Sequence, residues 1–261
     1  MFVATTLLAT AIPASAAVAL PNSMTALGDS VTRGFNACGW YTDCVAGSWS
    51  TGTNPSSHSH YLKIKAANPA IGNRVFNDAR TGAKMAELPD QAKAAVSHGV
   101  DYLTILMGAN DICTQSEALM TPVATYRKDL DTALATLKSG LPNATVYLLS
   151  LPDVRHLWSI AKDDSSARSF WSVAKICQSV LVNPTSTAQA DVDRRDRVRQ
   201  RTIDYNTQLQ QACQAYGSRC VYDENRIFNY PFKFEQISRW DYFHPNAEGQ
   251  KVLADITYRL H

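Results

Sequence analysis

Short, continuous apolar runs alternate along the chain with longer stretches in which apolar residues recur at helical spacing. Unbroken apolar runs are typical of strands that are buried on both faces, as in parallel sheets. The pattern predicts five strands, at residues 24–27, 74–77, 102–107, 145–151 and 221–222. It predicts helices at residues 61–67, 87–97, 123–138, 191–216 and 247–260.

Two segments fit neither pattern. Residues 36–57 are rich in Gly, Ser, Thr and Asn, which is typical of a long loop. Residues 153–190 lack a clean period, which predicts an insertion that contains short helices.

Strands separated by helices predict parallel pairing through right-handed crossovers. We therefore expect an α/β fold, a three-layer α/β/α sandwich around a five-stranded parallel sheet. A chain of 261 residues can bury one large core, so we expect residues 17–261 to form a single domain. The site of such a sheet lies beyond the carboxyl ends of its strands. Ser30, Gly82 and Asn110 each lie within a few residues of a predicted strand end.

The N-terminal residues 1–16 predict a signal peptide. Residues 2–12 are mostly apolar and uncharged, and Ala14-Ser15-Ala16 is a small-residue cleavage site, although no Lys or Arg precedes the apolar run. The run is shorter than the roughly 20 residues of a membrane-spanning helix. We expect cleavage after Ala16 and a secreted, extracellular protein.

The charge pattern does not indicate a polyanion-binding protein. The net charge is +2, and aspartates interleave with the basic run between Arg194 and Arg201. This predicts a mixed-charge helix face rather than a phosphate-binding patch. We expect no nucleic-acid partner.

The six cysteines agree with export, because an even number in an exported chain is typical of disulfides. No two of them have the Cys-x-x-Cys spacing of a zinc site. Closeness in sequence suggests two local pairs, which leaves a third that would close a long loop. The pairs are Cys38 with Cys44, Cys213 with Cys220, and Cys113 with Cys177.

His58 and His60 are two residues apart, a spacing at which two histidines can bind one metal ion. No cysteine or carboxylate lies nearby in the sequence, and the surrounding Ser, Thr, Gly and Asn predict a solvated loop or the start of the next helix. We expect no metal and no other cofactor.

Four short segments, far apart in the chain, carry residues suited to acyl transfer. Each segment alone is a weak signal, but together they offer a nucleophile, an acid/base pair and oxyanion donors. They are Gly28-Asp29-Ser30, the Gly82 turn, Gly108-Ala109-Asn110-Asp111 and Asp241-Tyr242-Phe243-His244-Pro245.

Ser30 follows the first predicted strand in a strand-turn-helix setting, and Gly28 allows a tight turn before it. A serine in this setting can present its hydroxyl in a cleft, although a serine at a helix start can equally be an N-cap. As a nucleophile it would need a base to take its proton.

His244 is the candidate base. Asp241 precedes it by three residues, so in a helical turn both side chains would lie on one face. The carboxylate could then accept a hydrogen bond from one ring nitrogen and leave the other to face Ser30. Pro245 restricts the backbone of His244.

Negative charge that develops during acyl transfer needs hydrogen-bond donors. The backbone N–H groups of Gly82 and Ser30 and the side-chain amide of Asn110 are the candidates. The alternatives are structural: Gly82 as a turn or helix-start glycine, and Asn110 as part of a strand-end turn.

The four segments, in this order, resemble the blocks of the SGNH hydrolases, also known as GDSL esterases and lipases. The resemblance extends over residues 24–260 and departs from the family name only at Val31, where leucine is expected. It implies a flavodoxin-like sandwich and these roles: Ser30 the nucleophile, His244 the base and then the acid, Asp241 the orienting group, Gly82 and Asn110 the oxyanion donors. An exported chain with three disulfides is also similar to secreted actinobacterial members, several of which are lipases or phospholipases.

The resemblance implies a secreted hydrolase of carboxylic esters that acts through an acyl-enzyme. Aromatic residues near the nucleophile and the histidine could line an acyl groove or could be ordinary packing; both alternatives stay open. They are Phe35, Trp40, Tyr41, Phe228, Tyr230, Phe232, Trp240 and Phe243. Three arginines, Arg33, Arg80 and Arg239, could meet a phosphate head group.

We therefore expect a lipase- or phospholipase-type esterase, a monomer that acts on a small-molecule or lipid ester and contacts lipid surfaces transiently. One alternative is a carbohydrate acetyl esterase, because the same residues serve that chemistry. An alternative of another class is a catalytically silent secreted binding protein on the same fold.

Overall fold

The structure, a computed structural model, describes residues 20–260. The predicted signal peptide lies outside these residues. Within them, no helix is long and apolar enough to cross a membrane.

The sheet has five strands, β1 Met24–Gly28, β2 Val75–Asn77, β3 Tyr102–Leu106, β4 Thr145–Leu148 and β5 Cys220–Tyr222. Their order is β2-β1-β3-β4-β5, and every neighbouring pair is parallel. All residues of β1 and β3, two of the three interior strands, are buried, which explains why both runs are unbroken in the sequence. The predicted five-stranded parallel sheet is confirmed.

Helices cover both faces of this sheet, so the α/β/α sandwich is confirmed as well. The α-helices are α1 His60–Ala67, α2 Leu88–His98, α3 Ala109–Ile112, α4 Val123–Gly140, α5 Val154–Ala161, α6 Ser165–Val173, α7 Gln178–Leu181, α8 Gln189–Tyr216, α9 Arg226–Asn229 and α10 Ala247–Thr257. Helix α4 packs against both α2 and α8. Helices α1 and α10 are joined by a contact in which His60 Nε2 lies 2.8 Å from Thr257 Oγ1.

The apolar run that predicts β4 continues beyond the strand. The strand ends at Leu148, yet residues 149–151 stay buried. Side chains take over the backbone hydrogen bonds there: Asp223 accepts from the Ser150 N–H at 3.0 Å, and Asn206 accepts from the Leu151 N–H at 2.8 Å. Burial therefore extends the apolar pattern past the end of strand pairing.

The predicted insertion at 153–190 contains α5, α6 and α7, and it is tied to loops at the carboxyl edge of the sheet. The disulfide Cys113–Cys177 joins it to the loop after β3. The indole of Trp171 donates a 3.0 Å hydrogen bond to the carbonyl of Tyr242. The insertion thereby supports the segment that carries His244.

The other two disulfides are local, Cys38–Cys44 and Cys213–Cys220, so all three predicted pairs are present. Cys38–Cys44 closes a small loop within residues 36–57, eight residues after Ser30 in the chain. This loop contacts the segment that carries His244, because the hydroxyl of Tyr41 donates a hydrogen bond to the carbonyl of Trp240.

Candidate active site

Ser30 lies in a series of turns after β1, and not at the start of a helix as the sequence predicts. The N–H of Arg33 donates to the carbonyl of Asp29 at 3.1 Å, and that of Phe35 donates to the carbonyl of Ser30 at 3.0 Å. Gly28 permits this path, because its φ is +151° and a Cβ there would lie 2.3 Å from the carbonyl oxygen of Leu106.

The segment from Asp241 to His244 also departs from the helical turn that the spacing predicts. Oδ1 of Asp241 accepts hydrogen bonds from the backbone N–H groups of Phe243 and His244, each at 3.0 Å. This side-chain-closed turn replaces the helical turn and still brings both side chains together. His244 Nδ1 lies 2.5 Å from the other carboxylate oxygen, Oδ2.

The second ring nitrogen of His244 completes a chain of hydrogen-bonding contacts from Asp241 to Ser30. Nε2 lies 2.7 Å from the hydroxyl oxygen of Ser30. With the Nδ1 proton directed at the Asp241 carboxylate, Nε2 is an acceptor for the serine proton. The rings of Phe35 and Phe243 lie 4.9 and 5.1 Å from the imidazole, centre to centre, and restrict its orientation.

Asn36 also belongs to the site, although no motif in the sequence marks it. Its side-chain amide donates a 2.7 Å hydrogen bond to Asp241 Oδ2, the oxygen that faces His244. Asn36 is buried and has a left-handed backbone with φ of +63°, which asparagine tolerates better than most residues. The only signal was its position, six residues after Ser30 at the start of the predicted loop.

The two predicted oxyanion segments are brought together. The side-chain amide of Asn110 donates a 2.9 Å hydrogen bond to the carbonyl of Ala83, the residue after Gly82. An amide group carries two hydrogens, so a second donor remains. Gly82 has a φ of +83°, and a Cβ there would meet no atom within 4 Å. The space beside this glycine is therefore open to a ligand.

Asp111 fixes the relative position of these two segments. Its carboxylate accepts from the backbone N–H of Met85 at 2.8 Å and from the hydroxyl of Thr121 at 2.6 Å. Burial raises the pKa of this carboxyl above its usual range.

Asp29, next to the serine, is almost completely buried. Burial raises the pKa of its carboxyl to about 6, while hydrogen bonds from the backbone of Val31 and Ala109 and the charge of His244 pull it down. Its Oδ1 accepts from the N–H of Val31 at 2.9 Å. The Asp29 carboxylate thus holds the turn that carries Ser30.

An apolar cavity adjoins the site. Neighbours of the three key side chains line it: Val31 after Ser30, Ala109 before Asn110, and Phe243 and Pro245 on either side of His244. The remaining wall comes mainly from apolar side chains, among them Leu157, Ile160, Ile227, Tyr230, Phe232, Ile237 and Leu253.

The polar groups in this wall are already engaged. Asp153 accepts from the guanidinium of Arg199 at 2.7 Å and caps α5. His156 Nε2 lies 2.7 Å from the carbonyl oxygen of Phe232. The cavity therefore offers a ligand an almost wholly apolar surface.

Six of the eight aromatic residues that the sequence grouped together form two sets, while Phe35 packs against His244 and Phe228 against Arg199. Tyr230, Phe232 and Phe243 line the cavity. By contrast, Trp40, Tyr41 and Trp240 are exposed on the surface.

The three arginines considered for a phosphate head group also differ. Arg33 pairs with Asp43 at 2.9 Å, and Arg80 pairs with Glu87. Arg239 instead lies over the ring of Phe234, 4.6 Å from its centre. It is the one of the three whose charge is not met by a carboxylate in the described part of the chain.

His60 begins α1, as one of the two structural alternatives predicts, but the expectation of a solvated position is wrong for it. The residue is fully buried, with Nδ1 2.9 Å from the hydroxyl of Tyr102. Burial lowers the pKa of its imidazole to about 3. His58 lies 3.5 Å from Asp255 at the surface. Among the described residues, no cluster of three or more metal-ligating side chains exists.

Solved structures with the same fold include several ester hydrolases of distant sequence. An extracellular lipase of Streptomyces rimosus is 18% identical, with 90% of this chain and 97% of that chain covered and a TM-score of 0.52. Phospholipase A1 of Streptomyces albidoflavus is 18% identical, with coverage of 91% and 100% and a TM-score of 0.50. A family 3 carbohydrate esterase of Clostridium thermocellum is 14% identical, with coverage of 90% and 92% and a TM-score of 0.50.

No curated protein matches the sequence. The model of one protein family, the GDSL-like lipases and acylhydrolases, matches residues 24–257, which include all four segments and every strand of the sheet. The chain belongs to the GDSL-like lipase/acylhydrolase family.

Proposed function

We propose that the protein hydrolyses carboxylic esters of lipids through an acyl-enzyme formed on Ser30. The observation that carries this proposal is the 2.7 Å contact between the Ser30 hydroxyl and His244 Nε2, with Asp241 on the far side of the ring. This arrangement provides a nucleophile, its base and the group that orients the base.

In the first half-reaction, Ser30 Oγ bonds to the ester carbonyl carbon while its proton moves to His244 Nε2. The carbonyl oxygen becomes an oxyanion, for which the N–H groups of Gly82 and Ser30 and the free amide hydrogen of Asn110 are the donors. Each such donor typically contributes about 10²–10³-fold to turnover. The intermediate then expels the alcohol, which takes the proton from the imidazolium.

In the second half-reaction, His244 removes a proton from water, and the resulting hydroxide bonds to the acyl carbon. A second oxyanion forms at the same donors. Its collapse releases the carboxylic acid and returns the proton to Ser30. The Asp241 carboxylate accepts the Nδ1 hydrogen bond and stabilises the imidazolium in both half-reactions.

The apolar cavity supports the choice of a lipid acyl group. Its lining begins at residues adjacent to Ser30, Asn110 and His244, so an acyl chain held there would leave the carbonyl near the nucleophile. The apolar wall also includes Leu157 and Ile160 of α5, so it offers contacts to a chain longer than an acetyl group. Burying methylene groups stabilises binding by roughly 0.8 kcal/mol each, which favours longer chains.

Export of the protein is part of the proposal. Three disulfides support it, because such bonds persist mainly in oxidising compartments. The N-terminal apolar segment with its small-residue cleavage site supports it independently.

The test is a substrate panel run beside Ser30→Ala. It contains p-nitrophenyl esters of increasing chain length, a triacylglycerol, a phospholipid, a lysophospholipid and acetylated xylan. We expect higher kcat/KM on longer acyl esters and labelling of the wild type, but not of Ser30→Ala, by a fluorophosphonate probe.

Activity confined to acetate and acetylated xylan would replace the lipid proposal with the carbohydrate esterase. Equal probe labelling of the wild type and Ser30→Ala, with no hydrolysis of any ester, would indicate the silent binding protein.

A further inference from the structure

Four large apolar side chains project into solvent close to the histidine segment. Their exposed fractions are 84% for Val173, 71% for Trp40, 46% for Tyr41 and 41% for Trp240. Soluble monomers rarely expose such side chains side by side unless the patch binds something. We call these four residues, with the half-buried Phe170, the aromatic rim.

The rim is one continuous surface. The ring centre of Trp240 lies 5.6 Å from that of Trp40 and 6.3 Å from that of Tyr41. Tyr41 in turn stacks on Phe170 at 6.1 Å. Val173, one turn after Phe170 on α6, lines the same shallow groove.

The local structure holds the rim in its exposed position. The Cys38–Cys44 disulfide closes the loop that carries Trp40 and Tyr41, and the hydroxyl of Tyr41 donates a 2.5 Å hydrogen bond to the carbonyl of Trp240. Trp40 and Tyr41 both have positive φ, +46° and +22°, which bulky residues rarely adopt. Such a conformation persists only where its surroundings enforce it.

The charge of the groove is positive. Among the described residues that line it, Arg239 carries the only formal charge, and the other polar side chains are hydroxyls such as those of Ser165, Ser166 and Ser169. Proteins commonly place tryptophan, tyrosine and basic side chains at the lipid head-group layer. The groove combines such aromatic residues with Arg239, which pairs with no carboxylate among the described residues.

The rim is also continuous with the catalytic segment. Trp240 directly precedes Asp241, and Tyr242 lies in the groove lining. A surface bound to the rim would therefore lie next to the segment that carries Asp241 and His244.

We propose that the aromatic rim docks the protein on a phosphate-bearing lipid surface. Trp40 and Val173 enter the boundary between head groups and acyl chains, and Arg239 pairs with lipid phosphates. Docking deepens the proposed function and rests on it in one respect: the docked surface is the source of the ester substrate.

The test measures co-sedimentation with vesicles in a Ser30→Ala background, so that no lipid is hydrolysed. The vesicles are phosphatidylcholine, with or without phosphatidylglycerol. Trp40→Ser combined with Val173→Ser is the rim variant. Val221→Ser is the matched control, because Val221 is also exposed but lies on β5, in a different surface groove.

We expect the rim variant to bind both kinds of vesicle at least about tenfold more weakly, because it loses two apolar side chains that bury on docking. The control should bind like the parent. Arg239→Gln should bind about fivefold more weakly to vesicles with phosphatidylglycerol and show a smaller loss on phosphatidylcholine alone, because both lipids carry phosphate but only phosphatidylglycerol gives the surface a net negative charge. Thermal unfolding midpoints of all variants establish that they fold.

A second readout needs no substitution in the rim: lipids brominated on their acyl chains should quench the tryptophan fluorescence of the Ser30→Ala protein. Unquenched fluorescence, or equal sedimentation of the rim variant and the control, would overturn the proposal. So would rim-dependent binding to insoluble acetylated xylan without binding to vesicles. Because sedimentation requires no turnover, these outcomes are distinct from failure of ester hydrolysis in the substrate panel.

Discussion

The side-chain amide of Asn36 and the carboxylate of Asp241 form a 2.7 Å hydrogen bond across a sequence separation of 205 residues. The accepting oxygen, Oδ2, is also the one that faces His244 Nδ1. The amide thus helps to fix the carboxylate beside His244, the proposed base. Asn36 lies two residues before the Cys38–Cys44 disulfide, so this part of the chain supports the proposed triad.

We expect Asn36→Gly to lower kcat by about tenfold with little change in KM, the cost of one hydrogen bond to a charged group. Glycine is chosen because it accepts the positive φ of this position, so that only the amide is lost. Without this donor the Asp241 carboxylate is held less firmly beside His244 Nδ1 and orients the imidazole less well.

The matched control is Asn183→Gly, which replaces an exposed asparagine with a similar φ of +50°. It should leave both kcat and KM unchanged. An Asn36→Gly enzyme with wild-type kcat, or one whose loss lies in KM instead of kcat, would exclude a positioning role for this amide.

Asp241→Asn should lower kcat by roughly 10²–10⁴-fold. Oδ1 of this side chain accepts two backbone N–H groups, so the asparagine oxygen would keep that place and its NH₂ group would face His244 Nδ1 and the Asn36 amide. The new NH₂ group would then face two other donors, the Nδ1–H of His244 and the Asn36 amide. This favours the tautomer of His244 in which Nε2 carries the proton and cannot accept the proton of Ser30.

Steady-state kinetics on a soluble ester measure this effect. Asp131→Asn, which alters an exposed ion pair with Arg127, is the control and should be neutral. Activity within a few-fold of wild type in Asp241→Asn would show that another group orients the base.

Ile160→Trp should shift the preference of the enzyme toward esters with shorter acyl chains. Ile160 lies on α5 and lines the cavity, so a larger side chain would occupy the space of several methylene groups. We expect kcat/KM to fall by about tenfold or more on long-chain esters, with much smaller changes on acetate.

The control is Ile203→Trp, the same replacement at a half-buried position of α8 that does not line the cavity. A parallel loss on all chain lengths in Ile160→Trp would contradict the assignment of the cavity to the acyl group.

The raised pKa of the buried Asp29 carboxyl predicts how the stability of the protein depends on pH. Its carboxyl has a pKa of about 6 in the folded protein, against an ordinary value of 3.8. Between these pH values the folded protein retains a proton that the unfolded chain has released. The free energy of unfolding therefore falls as the pH rises from about 4 to about 6, by as much as roughly 3 kcal/mol.

Asp29→Asn keeps an acceptor for the Val31 N–H and cannot ionise, so this contribution should vanish. Chemical denaturation at several pH values would show it as a wild-type stability that declines relative to the variant across this window. A constant difference between the two proteins from pH 4 to pH 7 would contradict a raised pKa at Asp29.

Local pattern in the sequence predicts much of this architecture. The strands could be recognised because parallel strands buried on both faces leave continuous apolar runs, and helices such as α4 could be recognised from their period. Ser30 and His244 could be chosen because acyl transfer restricts which residue types and local settings can serve.

The local geometry around the site was less predictable. The Asp241–His244 spacing correctly paired two residues but suggested a helix, whereas hydrogen bonds to Asp241 Oδ1 close a different turn. The buried His60 shows the same limit: its polar surroundings in sequence predict solvent, but its partners Tyr102 and Thr257 come from distant elements.

The sequence by itself determined the element order, the layered fold and the reactive residue types, because these depend on periodicity and on chemistry within short segments. Only the tertiary structure decided that Asn36 meets Asp241, that Phe232 lines a cavity, and that Trp40 and Trp240 meet at the surface. The physical reason is that such contacts depend on where separate loops converge at the carboxyl edge of the sheet. That convergence is set by packing between elements and leaves no periodic trace along the chain.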